Sequence, residues 1–442
     1  ITMPCTILAS VLTSNDIPDN KKIMIILGVA FASYAIFFVL SILLLLPVSC
    51  GTEKPIEKGN MLDTYFVVSD IHLLSNNLVD GSVGKERLTN DGRCQELDYD
   101  LVRALVAKIN EEKPSFVFIT GDLTFNGEKD SHLELVRLLN QVSSDTKVLV
   151  IPGNHDCYNL RSSSYLESTI HTVDTIDEQE FASIYRQYGY EGALFYDQDS
   201  LSYIYELADN RWALMLDTNL TRYNYDNGTN STGGTLPWTT FTWVEEKLAY
   251  AQEHGIEVIS FMHHNLITHN PMFERQYTLY CAEDVRELYH KYGVTLNFSG
   301  HLHIQDIQED NGLYDICDVS LLDYGNRYGV LHLYEKAYEY DAVALTLPNI
   351  DLAEYSFQTF YHKYYDGKEP NTDLYGDKAE EILDLISTIN GYYFDGDYTT
   401  IAQLRKENKA LFKLLEEKNT NGYVSTIIEK GKKDQRHILI LK

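Results

Sequence analysis

Short apolar runs recur along residues 61–350, each followed by a stretch whose apolar positions repeat at helical spacing. Runs rich in β-branched and aromatic residues predict strands at 64–69, 115–120, 147–151, 211–216, 256–262 and 294–298. Between them, Leu101, Ala104, Leu105 and Ile109 share one helical face. Leu133, Val136, Leu139 and Val142 predict a second such face, and Trp243, Leu248 and Ala251 a third. Strand–helix alternation of this kind implies an α/β sandwich on a largely central sheet. Three late runs, at 313–320, 328–334 and 340–346, follow without helices and predict a second, antiparallel sheet. Beyond Leu352 the pattern turns helical, with candidates around Ile382–Ile386 and over 401–418, punctuated by Gly391, Gly396 and Gly422. This predicts a linker over 51–60, a main domain over 61–350 and a small helical domain over 351–442.

The N-terminal part reads differently. No charged residue lies between Ile23 and Thr52, and Lys21–Lys22 precede a nearly unbroken apolar run to Leu46. A run of that length can span a bilayer, and a basic flank before it fits an export signal. Leu-Pro-Val-Ser-Cys-Gly at 46–51 resembles a bacterial lipoprotein signal, in which Cys50 is lipidated; Pro47 departs from the usual pattern. Residues 1–50 are therefore expected to be either a lipoprotein signal or a transmembrane anchor. Both place the rest of the chain on the outer face of a cell membrane.

The charge sharpens the picture. With 36 Lys+Arg against 65 Asp+Glu, the net charge is −29, which argues against a nucleic-acid partner. The segment 401–442 runs against this trend, with ten basic and five acidic residues. Six scattered cysteines do not make a disulfide framework, and buried free thiols are expected at Cys94, Cys157, Cys281 and Cys317.

Five short motifs stand at the ends of predicted strands: Ser-Asp-Ile-His (Asp70, His72), Thr-Gly-Asp-Leu (Asp122), Pro-Gly-Asn-His-Asp (Asn154, His155, Asp156), Met-His-His-Asn (His263, His264) and Ser-Gly-His-Leu-His (His301, His303). Ligands of α/β sheets bind beyond the carboxyl ends of strands, so these positions can converge. Carboxylate, imidazole and amide oxygen without a thiolate cluster suit Mn, Fe or Zn. Two metal ions held by so few carboxylates keep a formal positive charge, which suits a phosphate oxyanion.

In this order the motifs resemble the calcineurin-like metallophosphoesterases. The stretches Thr-Tyr-Phe-Val-Val-Ser-Asp-Ile-His-Leu-Leu-Ser (64–75) and Met-His-His-Asn-Leu-Ile-Thr-His-Asn (262–270) resemble bacterial cyclic-nucleotide phosphodiesterases, especially exported ones with a C-terminal helical domain. The resemblance implies a four-layer α/β/β/α sandwich holding two metal ions, with Mn and Fe ahead of Zn. It implies Asp70, His72 and His303 on one ion, Asn154, His263 and His301 on the other, and Asp122 bridging both, with hydroxide as the attacking group. His155 would contact the phosphate and protonate the leaving oxygen, with Asp156 orienting it. His263 is favoured over His264 as ligand, leaving His264 to support it or to face substrate; Asn154 would also touch substrate. His269 is expected to be a loop residue, with phosphate contact as the alternative. The expected substrate is a small phosphodiester, best a 3′,5′-cyclic nucleotide, with a phosphomonoester or nucleotide as the alternative. A surface binding protein without catalysis is disfavoured, since no ligand is missing. Phe125 stands where purple acid phosphatases carry a metal-binding Tyr, and Leu123–Gly127 lacks the Asp-Arg-Gly of protein phosphatases.

Overall fold

The computed structural model describes residues 57–88, 92–418, 422–429 and 431–442, with Pro18 and Lys21. The apolar run 23–46, Cys50 and most of the 51–60 linker lie outside the described residues. Among the described residues, no helix is long and apolar enough to cross a membrane.

The strands are β1 (Met61–Val68), β2 (Phe116–Ile119), β3 (Lys147–Val150), β4 (Ser163–Leu166), β5 (Thr169–Thr172), β6 (Phe195–Tyr196), β7 (Tyr203–Ala208), β8 (Arg211–Leu216), β9 (Glu257–Met262), β10 (Leu296–Ser299), β11 (Asp306–Asp310), β12 (Leu313–Cys317), β13 (Arg327–Tyr334), β14 (Ala337–Ala344) and β15 (His437–Leu441). Helices of five residues or more are α1 (Asp98–Glu112), α2 (Lys129–Leu139), α3 (Glu178–Ile184), α4 (Trp238–Glu253), α5 (Ala282–Tyr292), α6 (Leu352–Tyr365), α7 (Ala379–Phe394), α8 (Tyr398–Glu407), α9 (Lys409–Lys418) and α10 (Tyr423–Ile427).

Two sheets form the middle of the molecule. One runs β15-β14-β13-β1-β2-β3 and the other β11-β12-β10-β9-β8-β7-β6. Their central strands are parallel and carry continuous apolar runs, such as Phe-Val-Phe-Ile in β2, because both faces are covered. The facing surfaces meet through aromatic rings: Phe118 of β2 stacks on Phe261 of β9, ring centroids 3.8 Å apart, and Phe261 in turn stacks on Phe298 of the neighbouring β10 at 5.4 Å. Leu101, Leu105 and Ile109 of α1 and Leu135 and Leu138 of α2 pack on the first sheet, and α4 and α5 cover the second. The result is the four-layer α/β/β/α sandwich. Helix α5 shows the local logic, with Glu283 and Asp284 in its first turn, His290 and Lys291 in its last, and Gly293 closing it at φ 75°.

Of the late strands, β13 and β14 are antiparallel as expected, but β12 runs parallel to β10, and the three do not make a sheet of their own. β12 joins the second sheet beside β10, while β13 and β14 extend the first beside β1. The predicted face of α2 is also shifted. Leu139 is buried as expected, but Leu133 is 49 % exposed, and His132, Leu135 and Leu138 are buried in its place. The C-terminal region is helical, but 401–418 breaks at Asn408 into α8 and α9, and the chain ends as β15, paired with β14. Lys58–Lys442 form one compact unit. Within this unit the helices α7–α10 pack around a core of their own that includes Leu302 and Ile304, and β15 joins the first sheet. Cys94, Cys157, Cys281 and Cys317 are free thiols, three of them buried.

Candidate metal centre

Register brings the motifs to one level. β1 pairs Val68 with Ile119 of β2, and Ile119 pairs with Val150 of β3, so the loops carrying Asp70, Asp122 and Asn154 leave the sheet together. The second sheet aligns β9 and β10 in parallel, which delivers His263 and His301 to the same place. The loops lie very close. A Cβ at Gly153 would sit 2.2 Å from Asp122 Oδ1, and one at Gly300 would sit 1.7 Å from Ser69 Oγ.

Two groups of side chains result. Ligand atoms of Asp70, His72, Asp122 and His303 lie within 4.8 Å of one another, as do those of Asp122, His263 and His301. Asp122 belongs to both. Its Oδ2 faces His72 Nε2 at 3.6 Å, and its Oδ1 faces His263 Nε2 at 3.4 Å. His72 Nε2 and His303 Nε2 point at each other at 3.2 Å, and Asp70 Oδ1 lies 3.1 Å from His303 Nε2. Asn154 Oδ1 lies 3.1 Å from His263 Nε2 and completes the second group.

Three of the ring nitrogens that point away from the centre are fixed by the protein, whereas His72 Nδ1 is buried without a hydrogen bond. His263 Nδ1 bonds Thr120 O at 2.9 Å, His303 Nδ1 bonds Asp323 Oδ2 at 2.9 Å, and His301 Nε2 bonds Gln276 O at 3.2 Å. Each such bond orients the ring and leaves its other nitrogen for the centre. The backbone is also committed. Asp70, His72, Asp122, His301 and His303 all have φ between 45° and 67°, a region that non-glycine residues seldom occupy and that clusters at functional sites.

The electrostatics fit positive ions. Asp70 and Asp122 are almost completely buried carboxylates. Burial opposes charge on both, yet the imidazoles around them hold Asp70 below and Asp122 well below the ordinary carboxylate range. Burial likewise opposes charge on His263 and His303, but Asp122 and Asp70 outweigh it and raise them to about 9 and about 10. Burial, reinforced by neighbouring cations, holds His72 and His301 well below the usual value, so those rings stay neutral and keep a lone pair to donate. Two buried carboxylates with two neutral imidazoles, and two more that take up protons beside the carboxylates, are a donor set for two cations of the Mn, Fe or Zn type.

His155 lies at the edge of the centre, its side chain 31 % exposed and its Nε2 3.9 Å from Asp122 Oδ2. Its Nδ1 bonds Phe125 O at 2.7 Å. Phe125, not Asp156, therefore orients this ring. Asp156 is occupied elsewhere. Its carboxylate accepts from the amides of Leu123, Thr124 and Gly153 and from Thr124 Oγ1, at 2.8–3.1 Å, which fastens the Asp122 loop to the Asn154 loop. The expectation that His264 faces substrate is also corrected. Its Nδ1 bonds Thr218 Oγ1 at 2.7 Å and its Nε2 bonds Thr232 O at 2.9 Å, so this buried ring has no nitrogen left to offer and supports the centre from behind. His269 is not a phosphate contact either. It is buried between Asp306 Oδ2 (2.9 Å) and Asp315 Oδ2 (3.3 Å).

Some neighbours carried no sequence signal. Asp323 and the carbonyls of Thr120, Phe125 and Gln276 act only through pairings made in the fold. Tyr277 packs against His301, ring centroids 4.8 Å apart, and is half-buried.

The calcineurin-like phosphoesterase family model matches residues 64–305, more than half of the 442-residue chain. The chain belongs to the calcineurin-like phosphoesterases. Solved structures similar to this phosphoesterase include a dimetal phosphatase from Danio rerio, at 15 % identity, 64 % of this chain, 97 % of that one and a TM-score of 0.47. A second is Plasmodium GAP50, described as the anchor in the inner membrane complex, at 12 % identity, 68 % of this chain, 94 % of that one and a TM-score of 0.39. A third is a putative 5′-nucleotidase from Staphylococcus aureus, at 12 % identity, 69 % of this chain, 58 % of that one and a TM-score of 0.38. No curated protein matches the sequence.

Proposed function

We propose that this phosphoesterase hydrolyses phosphodiesters at a two-ion centre, with 3′,5′-cyclic nucleotides as the leading substrate class. The observation that carries the reading is Asp122, which turns one carboxylate oxygen to each group of ligands. Asp70, His72 and His303 complete one ion site, and Asn154, His263 and His301 the other. When bound, such ions polarise the phosphoryl group and supply a nucleophile near neutral pH. The protein does the rest. Phe125 O accepts from His155 Nδ1 and turns Nε2 to the centre, within reach of the leaving oxygen. Burial lowers the proton affinity of His155, so its charged form, the one with a proton on Nε2 to give, is scarce near neutral pH but a strong acid when formed. Asp156 keeps the Asp122 and Asn154 loops in register. The cyclic-nucleotide preference is supported by the resemblance of residues 64–75 and 262–270.

The test strips the full chain of metal, reloads it with Mn²⁺, and compares bis(p-nitrophenyl) phosphate, p-nitrophenyl phosphate and 3′,5′-cyclic AMP. Metal-dependent cleavage of the diester and of cyclic AMP is expected. Monoester cleavage alone would replace this reading with a phosphatase or nucleotidase. His155→Ala should lower diester turnover by about 100-fold or more, the usual size of a general-acid contribution.

We also place the catalytic unit on the outer face of a cell membrane, tethered through residues 1–50. The uncharged stretch 23–52 behind Lys21–Lys22, with Cys50 at its end, supports this. Release into the soluble fraction by Cys50→Ala would single out the lipid-linked form, and retention would favour an apolar anchor.

A further inference from the structure

We infer that the helical C-terminal region positions the ligands of the second ion, the one held by Asp122, Asn154, His263 and His301. The inference rests on the two-ion reading above. The chain segment His301-Leu302-His303-Ile304 alternates in both sequence and direction. His301 and His303 face the centre, while Leu302 and Ile304 are 7 % and 1 % exposed and lie in a core shared with Ile382, Leu385 and Ile389 of α7. Just beyond, Gln305 N donates to Phe394 O at the end of α7, at 2.8 Å.

The loop that carries His263 is tied to the same region. Asn270 Nδ2 donates to Tyr393 Oη at 2.6 Å and to Thr426 Oγ1 at 3.0 Å. His269 next to it bridges Asp306 and Asp315, and Lys432 pairs with Asp306 at 2.5 Å. His72, Asp122 and Asn154 are held differently, by the strands of the first sheet and their own loops; Asp70 is held there too, but its Oδ2 also accepts from His301 N at 2.9 Å. Asp70 N donates to Gly121 O at 3.1 Å, His72 N to Asp122 O at 2.9 Å, and Asp156 spans the Asp122 and Asn154 loops.

The two ions therefore depend unequally on the C-terminal region. The first draws His303 alone from the tied loops. The second draws His263 and His301, half of its protein ligands. Loosening α7 lets these two rings drift from the convergent geometry, and the second ion loses affinity first. The coupling is reciprocal by thermodynamic necessity, so filling the second site steadies α7.

The experiment titrates the metal-stripped full chain with Mn²⁺ by calorimetry and follows Co²⁺ loading by visible absorption. It uses Ile389→Ala, which opens a void inside the helical core, and Asn270→Ala, which cuts the bonds to Tyr393 and Thr426. Circular dichroism establishes that each variant is folded at the titration temperature. Asn154→Ala, which removes a ligand of the second ion alone, marks which of the two Mn²⁺ affinities belongs to that ion. The expected result is a fall of ten-fold or more in that affinity, with the other changed less than three-fold. Ile389→Leu should restore it, and the Co²⁺ spectrum of that site should change in the alanine variants. In the wild type, filling that site with Mn²⁺ should slow amide exchange in α7. Unchanged affinities, or an equal fall in both, would overturn the inference. Failure to cleave any ester while two ions still bind would strike the proposed activity and leave these binding outcomes readable. If Ile389→Ala does not fold, Asn270→Ala carries the test.

Discussion

Glu128 offers a quantitative check on the electrostatics of the Asp122 loop. It precedes α2 and is completely buried. Its Oε2 accepts from Asn126 N at 3.0 Å and from Ser131 Oγ at 3.2 Å, while its Oε1 is buried without a hydrogen bond. Burial pushes this carboxyl up to about 7 from its ordinary 4.5. A raised folded-state value means that the protonated form is the better tolerated one. The stability it contributes is fully present below about pH 4.5 and is lost as the pH rises through about 7. One pH unit over this window is worth about 1.4 kcal/mol, so ionising Glu128 costs the fold about 3 kcal/mol by pH 8. Glu128→Gln removes that charge but places an amide donor where Oε1 lies, at a cost of about 1 kcal/mol. The variant should thus be about 1 kcal/mol less stable than wild type well below pH 4.5, nearly level with it at pH 5 and about 2 kcal/mol more stable at pH 8. Urea unfolding of both proteins between pH 5 and pH 8.5 measures the difference. A gap that stays constant over this range would refute the reasoning.

Replacing His269 by Ala should destabilise the protein by about 3–5 kcal/mol, because Asp306 and Asp315 would lose a buried partner; urea unfolding reads it. Burial opposes charge on His269, but those two carboxylates raise it to about 9. Its contribution is therefore full below about pH 6.5 and lost as the pH rises through about 9, which thermal scans at pH 6.5 and 9.5 would show. Phe118→Ala should cost about 3–5 kcal/mol by opening the seam between the sheets, read from the denaturation midpoint. Asp156→Asn should lower diester turnover by loosening the Asp122 and Asn154 loops. It should leave the His155 ring in place, since Phe125 O holds that ring; an imidazole NMR signal that shifts strongly would contradict this.

The five metal-binding motifs were legible in the sequence because each combines a distinctive residue set with a preceding apolar run. Strand positions were legible for the same reason, since fully covered parallel strands need unbroken apolar stretches. Which sheet a late strand joins was not legible. β12 and β13 look alike as sequences and are separated by a short loop, yet their hydrogen-bonding partners, β10 and β1, lie at very different distances along the chain. Asp156 misled because a carboxylate next to a histidine invites pairing. The amides of Leu123, Thr124 and Gly153 satisfy it instead, and the first two of those contacts exist only once the Asp122 and Asn154 loops converge. His269 stands in a loop as expected, but its buried partners Asp306 and Asp315 were not legible, since they lie more than thirty residues downstream. β15 was hidden by the basic segment before it, which hid an apolar edge strand only five residues long.

The left-handed backbone at Asp70, His72, Asp122, His301 and His303 has an evolutionary consequence. An L-residue in that conformation costs about 1–2 kcal/mol, so five of them together are a standing burden on folding. Glycine at any one of these positions would relieve part of it. Selection for stability alone would therefore tend to erase the ligands one by one. A descendant released from catalysis should show glycine or asparagine at these sites before its core changes. A thermostability screen of random variants should, by the same logic, enrich inactive proteins at these five positions.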